Sequence, residues 1–143
     1  MAGRSTHEFF GHARWPHLGA SIDGIAALPE ELDFDPTIFS NPGLVEVALE
    51  EVMAFGGVGL IEIKSTNDWS FKKTWLNRIP DYYQYQPMMQ MALTCTDWCL
   101  VVCGDGQDMT CHAVTREDDF GQFEELLDSV DVEFAELLEK EAA

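Results

Sequence analysis

An α/β fold is expected of this chain on three observations. The short apolar run Val58 to Ile63, bounded by Gly56-Gly57 and by the polar Ser65-Thr66-Asn67-Asp68, has the length and flanks of a strand. Segments of helical period precede and follow it, around Leu44 to Phe55 and Tyr82 to Thr94. Two further strand-like runs, Trp98 to Cys103 and Met109 to Val114, flank Gly104-Asp105-Gly106 and read as a β-hairpin. With 143 residues, 46% of them hydrophobic, the chain is long enough for one real core and too short for two, so a single domain over 1–143 is expected.

In chain order, residues 1–17 lack periodicity and read as an irregular lead-in. Leu18 to Ile22 reads as a short strand, Asp23-Gly24 as a turn and Ile25 to Leu28 as the returning strand of a hairpin. Pro29 to Pro42 is acidic and proline-punctuated, hence a loop. A helix over 42–55 follows, with Asn41 as its cap, Pro42 at its first position and Gly56-Gly57 as its stop. The competing pattern there is a strand with Val45, Val47 and Leu49 on one face.

Trp69 to Arg78 forms a short helix on this reading, and Pro80-Asp81 opens a longer one to about Leu93. Pro87 lacks an amide proton, so that helix either starts nearer Tyr83 or kinks. The closing segment, 117–141, is an acidic helix with Phe120, Phe123, Leu127, Val130, Phe134, Leu137 and Leu138 on one face.

No apolar stretch reaches the roughly 18 residues that a membrane span needs, and Met1 to His7 has no apolar leader core. A soluble, cytoplasmic protein without a membrane partner is expected. Cys95, Cys99, Cys103 and Cys111 do not have the paired short spacings of a zinc site and read as reduced, buried thiols, with Cys99 and Cys103 in phase with Val101. The formal charge of −18 opposes nucleic-acid binding by bulk electrostatics. That charge is unevenly placed. From Arg116 onward, eleven acids face only Arg116 and Lys140, whereas Lys64, Lys72, Lys73 and Arg78 share one short stretch.

That stretch begins at Glu62-Ile63-Lys64. On a strand, Glu62 and Lys64 project from one face while Ile61 and Ile63 point to the other, expected to be the buried side. If a turn delivers Asp23 of Ser21-Ile22-Asp23-Gly24 to the same point, two carboxylates and a lysine converge. Downstream, Gln86 and Gln90 share a helix face with Tyr82 or Tyr83 one turn earlier. Taken singly, each piece has a plain reading: a solvated charge pair, a hairpin turn, a solvated polar stripe opposite Met88, Met91 and Ala92. In ordered combination they are more specific.

The combination resembles the PD-(D/E)XK nucleases, and within them the phage λ exonuclease and YqaJ-type viral recombinase branch. The lead His12-Ala13-Arg14-Trp15-Pro16-His17 runs into Leu18-Gly19-Ala20-Ser21-Ile22-Asp23-Gly24, then Glu62-Ile63-Lys64, then Tyr83-Gln84-Tyr85-Gln86 with Gln90 to Thr94, then the tryptophan-bearing Trp98 to Val102. Ile22 stands where the branch usually has proline. The stretch from Asp23 to Glu62 is longer than usual, consistent with a helical insertion at 42–55, and the chain begins just before the first acidic motif, as in an N-terminally reduced member.

The resemblance implies a restriction-endonuclease-like core, a small mixed sheet flanked by helices. It implies a metal-dependent DNA nuclease, an exonuclease of phage-type recombination or DNA processing, acting on double-stranded ends. Asp23, Glu62 and the Ile63 backbone carbonyl would hold Mg²⁺ or Mn²⁺, Lys64 would position the attacking water, and Gln86 would hold that water or a phosphate oxygen. Apart from the resemblance, Lys72, Lys73 and Arg78 read equally as a track for the DNA backbone or as ordinary solubilising charge. A homo-oligomer and a single-strand annealing protein as partner also follow from the family. His12 and His17 are expected to be structural, and His112 is given no role. The acidity supports an alternative, a catalytically inactive descendant acting as an acidic adaptor or DNA mimic.

Overall fold

The structure, a computed structural model of the chain, describes residues 2–5, 9–27, 35–116 and 120–142. Its main sheet has five strands in the order β1-β4-β5-β6-β7, where β1 is Ala2–Ser5, β4 Gly24–Ala27, β5 Val58–Ser65, β6 Trp98–Gly104 and β7 Met109–Thr115. A separate pair joins β2 (Phe9–His12) to β3 (Trp15–Ser21). Only β5 and β6 run parallel; the remaining neighbours are antiparallel, so the sheet is mixed.

The expected hairpin about Asp23-Gly24 is not formed. β3 pairs back onto β2, through what was expected to be an irregular lead-in, while β4 pairs with β1 and β5. Asp23 therefore stands where the chain leaves one sheet and enters another. The Pro29 to Pro42 loop lies partly outside the described residues; its described part carries a 3-10 turn, Pro36–Ile38.

The helix over 42–55 forms as α1 (Pro42–Phe55), with Gly56 at positive φ closing it and bonded to Val52. Asn41 occupies the cap position, but its side chain donates to the Leu76 carbonyl at 3.2 Å instead of capping. The next helix is shorter than expected: α2 (Asp68–Ser70) runs into a π-helical turn, Phe71–Trp75, whose Phe71 carbonyl accepts from Leu76. A 3-10 turn, Asp81–Tyr83, then precedes α3 (Tyr85–Thr94). Pro87 falls in the first turn of α3, where its missing N–H would have had no intrahelical acceptor in any case. The final helix is α4 (Phe120–Ala142).

Alternation along β6 divides the core. Cys99, Val101 and Cys103 face one hydrophobic cluster with Leu60, Phe71, Trp75, Met91 and Phe123, whereas Trp98 and Leu100 face another with Ala26, Val45, Leu49 and Val52 of α1. Both faces are covered, so strand patterning does not separate inside from outside. Here an expectation fails: Ile61 is half-buried and Ile63 63% exposed, while Glu62 is only 4% exposed. Cys95, at positive φ after α3, is likewise exposed and not buried. Burial pushes the Cys103 thiol up to about 11 and Cys111 up to about 12, and raises Cys99 further, so these three are small apolar fillers.

The acidic helix packs differently from the expected split of apolar and solvated faces. Phe120, Phe123 and Leu127 are buried, but Phe134, Leu137 and Leu138 are exposed. Several of its acids are instead used to hold β3 and the turn before it: Arg14 of the turn bonds Asp128 and Glu124, Trp15 Nε1 donates to Asp128 at 2.8 Å, and the His17 amide donates to Asp131 at 2.7 Å. The His17 ring also meets Asp131, Nδ1 to Oδ2 at 3.4 Å, a structural contact of the kind expected.

Two predictions follow from this packing. A Cβ at Gly59 would collide with the Trp98 indole, itself held by its Nε1 to the Gly56 carbonyl at 2.9 Å. Gly59→Ala should cost at least the ~1–3 kcal/mol typical of overpacking, read as a lowered midpoint in chemical denaturation. The second concerns His112, which donates from Nε2 to the Trp75 carbonyl at 2.6 Å and whose pKa is lowered by burial. A histidine lowered in the folded state binds protons more readily when unfolded, so its contribution is intact above the ordinary value near 6.5 and is lost as pH falls below it. Between pH 8 and 5.5 the Tm of the native chain should fall more steeply than that of His112→Gln, measured by scanning calorimetry.

Candidate active site

β4 pairs with β5 only as far as Gly24 opposite Ile61. Beyond that point the β4 side of β5 has no ladder partner at Ile63 among the described residues, and the Asp23 side chain takes the place of one: its Oδ2 accepts from the Ile63 amide at 2.9 Å. The N–H and C=O of one strand residue point to the same side. The Ile63 carbonyl is therefore turned toward the side on which Asp23 lies.

Glu62 points to the face covered by α3. Three neutral donors reach it there: Tyr83 Oη at 3.2 Å and Gln86 Nε2 at 3.1 Å bond Oε1, and Gln90 Nε2 bonds Oε2 at 2.9 Å. Lys64, two residues along the same strand face, places Nζ 4.0 Å from Glu62 Oε1 and 4.7 Å from the centre of the Tyr83 ring. The Tyr83 ring in turn meets Trp75 edge to face, with centroids 5.2 Å apart.

The charge state follows from these contacts. Burial holds the Glu62 pKa above the usual carboxylate range; the Gln90 and Tyr83 bonds oppose that shift, and the neighbouring Asp23 adds to it through its charge and a carboxyl–carboxyl hydrogen bond. Tyr83 is raised as well, by burial first and then by Glu62, so its hydroxyl stays a donor. Two oxygen-bearing acids are thus pressed together at the cost of one being hard to ionise. A cation between them would relieve that cost, and two carboxylates with a backbone carbonyl suit a hard divalent ion that keeps most of its waters. Among the described residues no group of three or more His, Cys, Asp and Glu side chains gathers as a metal site.

Of the residues expected from sequence, Asp23, Glu62, Ile63, Lys64 and Gln86 come together. The basic stretch is exposed: Lys72 pairs with Asp68 at 3.2 Å, Lys73 lies 4.3 Å over the Trp69 ring and Arg78 pairs with Asp81 at 3.2 Å. Tyr83 and Gln90, placed on the Gln86 face but not among the expected site residues, bond Glu62 directly. The polar stripe of α3 is thus not solvated as a whole, because its spacing of three and then four residues turns toward β5. A cavity of about 360 Å³ between α1, β7 and the 77–88 segment has none of Asp23, Glu62 or Lys64 in its lining.

Residues 2–97 match the YqaJ-like viral recombinase domain. The chain belongs to that family. No curated protein matches it. Among solved structures, the alkaline exonuclease of Laribacter hongkongensis superposes with a TM-score of 0.59 at 21% identity, covering 99% of this chain and 62% of that one. The YqaJ-like chain therefore spans less than two thirds of that enzyme's length. The likeness establishes a restriction-endonuclease-like fold, in agreement with the mixed sheet flanked by helices.

In this YqaJ-like domain, Tyr83→Phe should remove one donor from ionised Glu62 while keeping the ring under Lys64. The sign follows from the raised folded-state pKa: the folded state holds the Glu62 proton more tightly, so stability is lost as pH rises and the carboxylate ionises, and each donor reduces that loss. The variant should be destabilised by about 1–3 kcal/mol where Glu62 is ionised, and by less at pH 5. Urea denaturation at pH 5 and 8 measures the difference, and carboxyl NMR should show Glu62 titrating higher in the variant.

Proposed function

We propose that this YqaJ-like domain is a metal-dependent DNA nuclease, an exonuclease of phage-type recombination or DNA processing that hydrolyses phosphodiester bonds at double-stranded ends. The observation that carries the reading is the pairing of Asp23 with buried Glu62, with Lys64 Nζ 4.0 Å from the same carboxylate. Family membership and the alkaline exonuclease fold support it.

Asp23, Glu62 and the Ile63 carbonyl would hold Mg²⁺ or Mn²⁺ through hard oxygen ligands. Such an ion, when bound, neutralises phosphate charge and acidifies a coordinated water. The protein's own contribution is positional and electrostatic. Glu62 is oriented by three donors that carry no charge, so its negative charge stays available. Lys64 is steadied by the Tyr83 ring, and its ammonium stabilises the negative charge that grows on the phosphate as water attacks. Gln86, at the exposed start of α3, shares its amide between Glu62 and the incoming water or phosphate oxygen. Lys72, Lys73 and Arg78 would track the DNA backbone. By the same family reading, a homo-oligomer and a single-strand annealing partner are proposed.

The formal charge of −18 favours a second reading, an acidic adaptor or DNA mimic that keeps the fold without cutting. One assay separates the two. Linear double-stranded DNA is incubated with the protein and Mg²⁺ or Mn²⁺, alongside Glu62→Ala and Lys64→Ala, each checked for folding by circular dichroism. The expected result is metal-dependent cleavage that falls roughly 10²-fold or more in both variants. No cleavage by the native chain, or cleavage undiminished in both folded variants, would sink the nuclease reading.

A further inference from the structure

Gln90 is 1% exposed, and its Nε2 donates twice: to Glu62 Oε2 at 2.9 Å and to the Ser21 backbone carbonyl at 2.9 Å. The Ser21 carbonyl accepts only, so the amide nitrogen and not the oxygen must face it, and with the second bond to Glu62 Oε2 both of its hydrogens are used. They are used on different strands. Ser21 ends β3 two residues before Asp23, whereas Glu62 lies on β5; the β4–β5 ladder holds Gly24 opposite Ile61, one residue from each acid, and ends there, so on the far side of Asp23 the tie between the segment leading into it and Glu62 is this amide. The side chain is itself anchored, because Met91, Ala92 and Leu93 beside it are core residues of α3.

We propose that Gln90 is a positioning residue: by clamping the Ser21 carbonyl and Glu62 Oε2 with one amide group, it fixes the gap between the Asp23 and Glu62 carboxylates. Gln90 touches neither substrate nor reacting atoms. The proposal rests on the reading of those carboxylates as a divalent-cation site, and its test separates the two ideas.

The test uses the full chain, Mn²⁺ alone without DNA, and Gln90→Met, which fills a similar volume but donates nothing. Mn²⁺ affinity is measured by electron paramagnetic resonance. Hydrogen exchange of the Ile63 amide reports the position of Asp23, whose Oδ2 it bonds. The expected result is affinity lowered about 10–100-fold, the usual effect of losing a partner that orients a ligand, with Ile63 exchange at least roughly tenfold faster and the amides of β6 and β7 still protected. A folded variant with both quantities near native values would show that Gln90 only fills space, and would overturn the proposal. Gln90→Asn, one methylene too short to span both acceptors, is read in the same way if the methionine variant does not fold. If the native chain binds no Mn²⁺, the cation site falls, while Ile63 exchange in the variants still decides whether Gln90 clamps the strands.

Discussion

The structure depends on one interaction, a carboxylate buried between a sheet and a helix. Glu62 is 4% exposed, and an acid so placed is tolerated only when its lone pairs are met. Its direct hydrogen-bond donors on and just before α3 are all neutral. Had they been arginines, the carboxylate would be satisfied and its charge cancelled; with Tyr83, Gln86 and Gln90 it is satisfied and remains an acid beside Asp23. Lys64 stands at 4.0 Å, at the outer limit of ion pairing, and offsets that charge only in part.

This requirement explains features elsewhere in the fold. α3 must be polar at two positions, Gln86 and Gln90, on a face that also carries core contacts, with Tyr83 polar in the turn before it, and Pro87 in its first turn fixes the helix start between Tyr83 and Gln90 without loss of an intrahelical bond. The opposite face of the sheet bears no such load and is filled by α1 against Trp98 and Leu100. The small β2–β3 sheet carries the segment leading to Asp23, and α4 secures it through Asp128 and Asp131. Part of the chain's acidity is therefore internal mortar.

How much of this could be read from the sequence depended on whether the information was local. α1, β5 and the β6–β7 hairpin were legible because periodicity and flanking glycines act within a few residues. The motif Glu62-Ile63-Lys64 and its convergence with Asp23 and Gln86 were legible through family resemblance. The pairing of β3 with β2 was not, since Asp-Gly signals a turn without saying which strand receives the chain. Nor was the burial of Glu62 in place of Ile63: on a sheet covered on both faces, alternation carries no sign. The two apolar halves of α4 look alike in sequence, and only tertiary contact distinguishes buried Phe123 from exposed Phe134.

The parallel pairing of β5 with β6 has a consequence for how such a site comes into being. Glu62 and Lys64 lie on the first of those strands, whereas Tyr83, Gln86 and Gln90 all lie on the connection leading to the second. The chain cannot register the two strands without swinging that connection across the sheet, and the swing is what brings the donors over the acid. A buried charge that would penalise a half-formed sheet is met by the same long-range closure that completes it, so fold topology and site assembly share a single entropic cost.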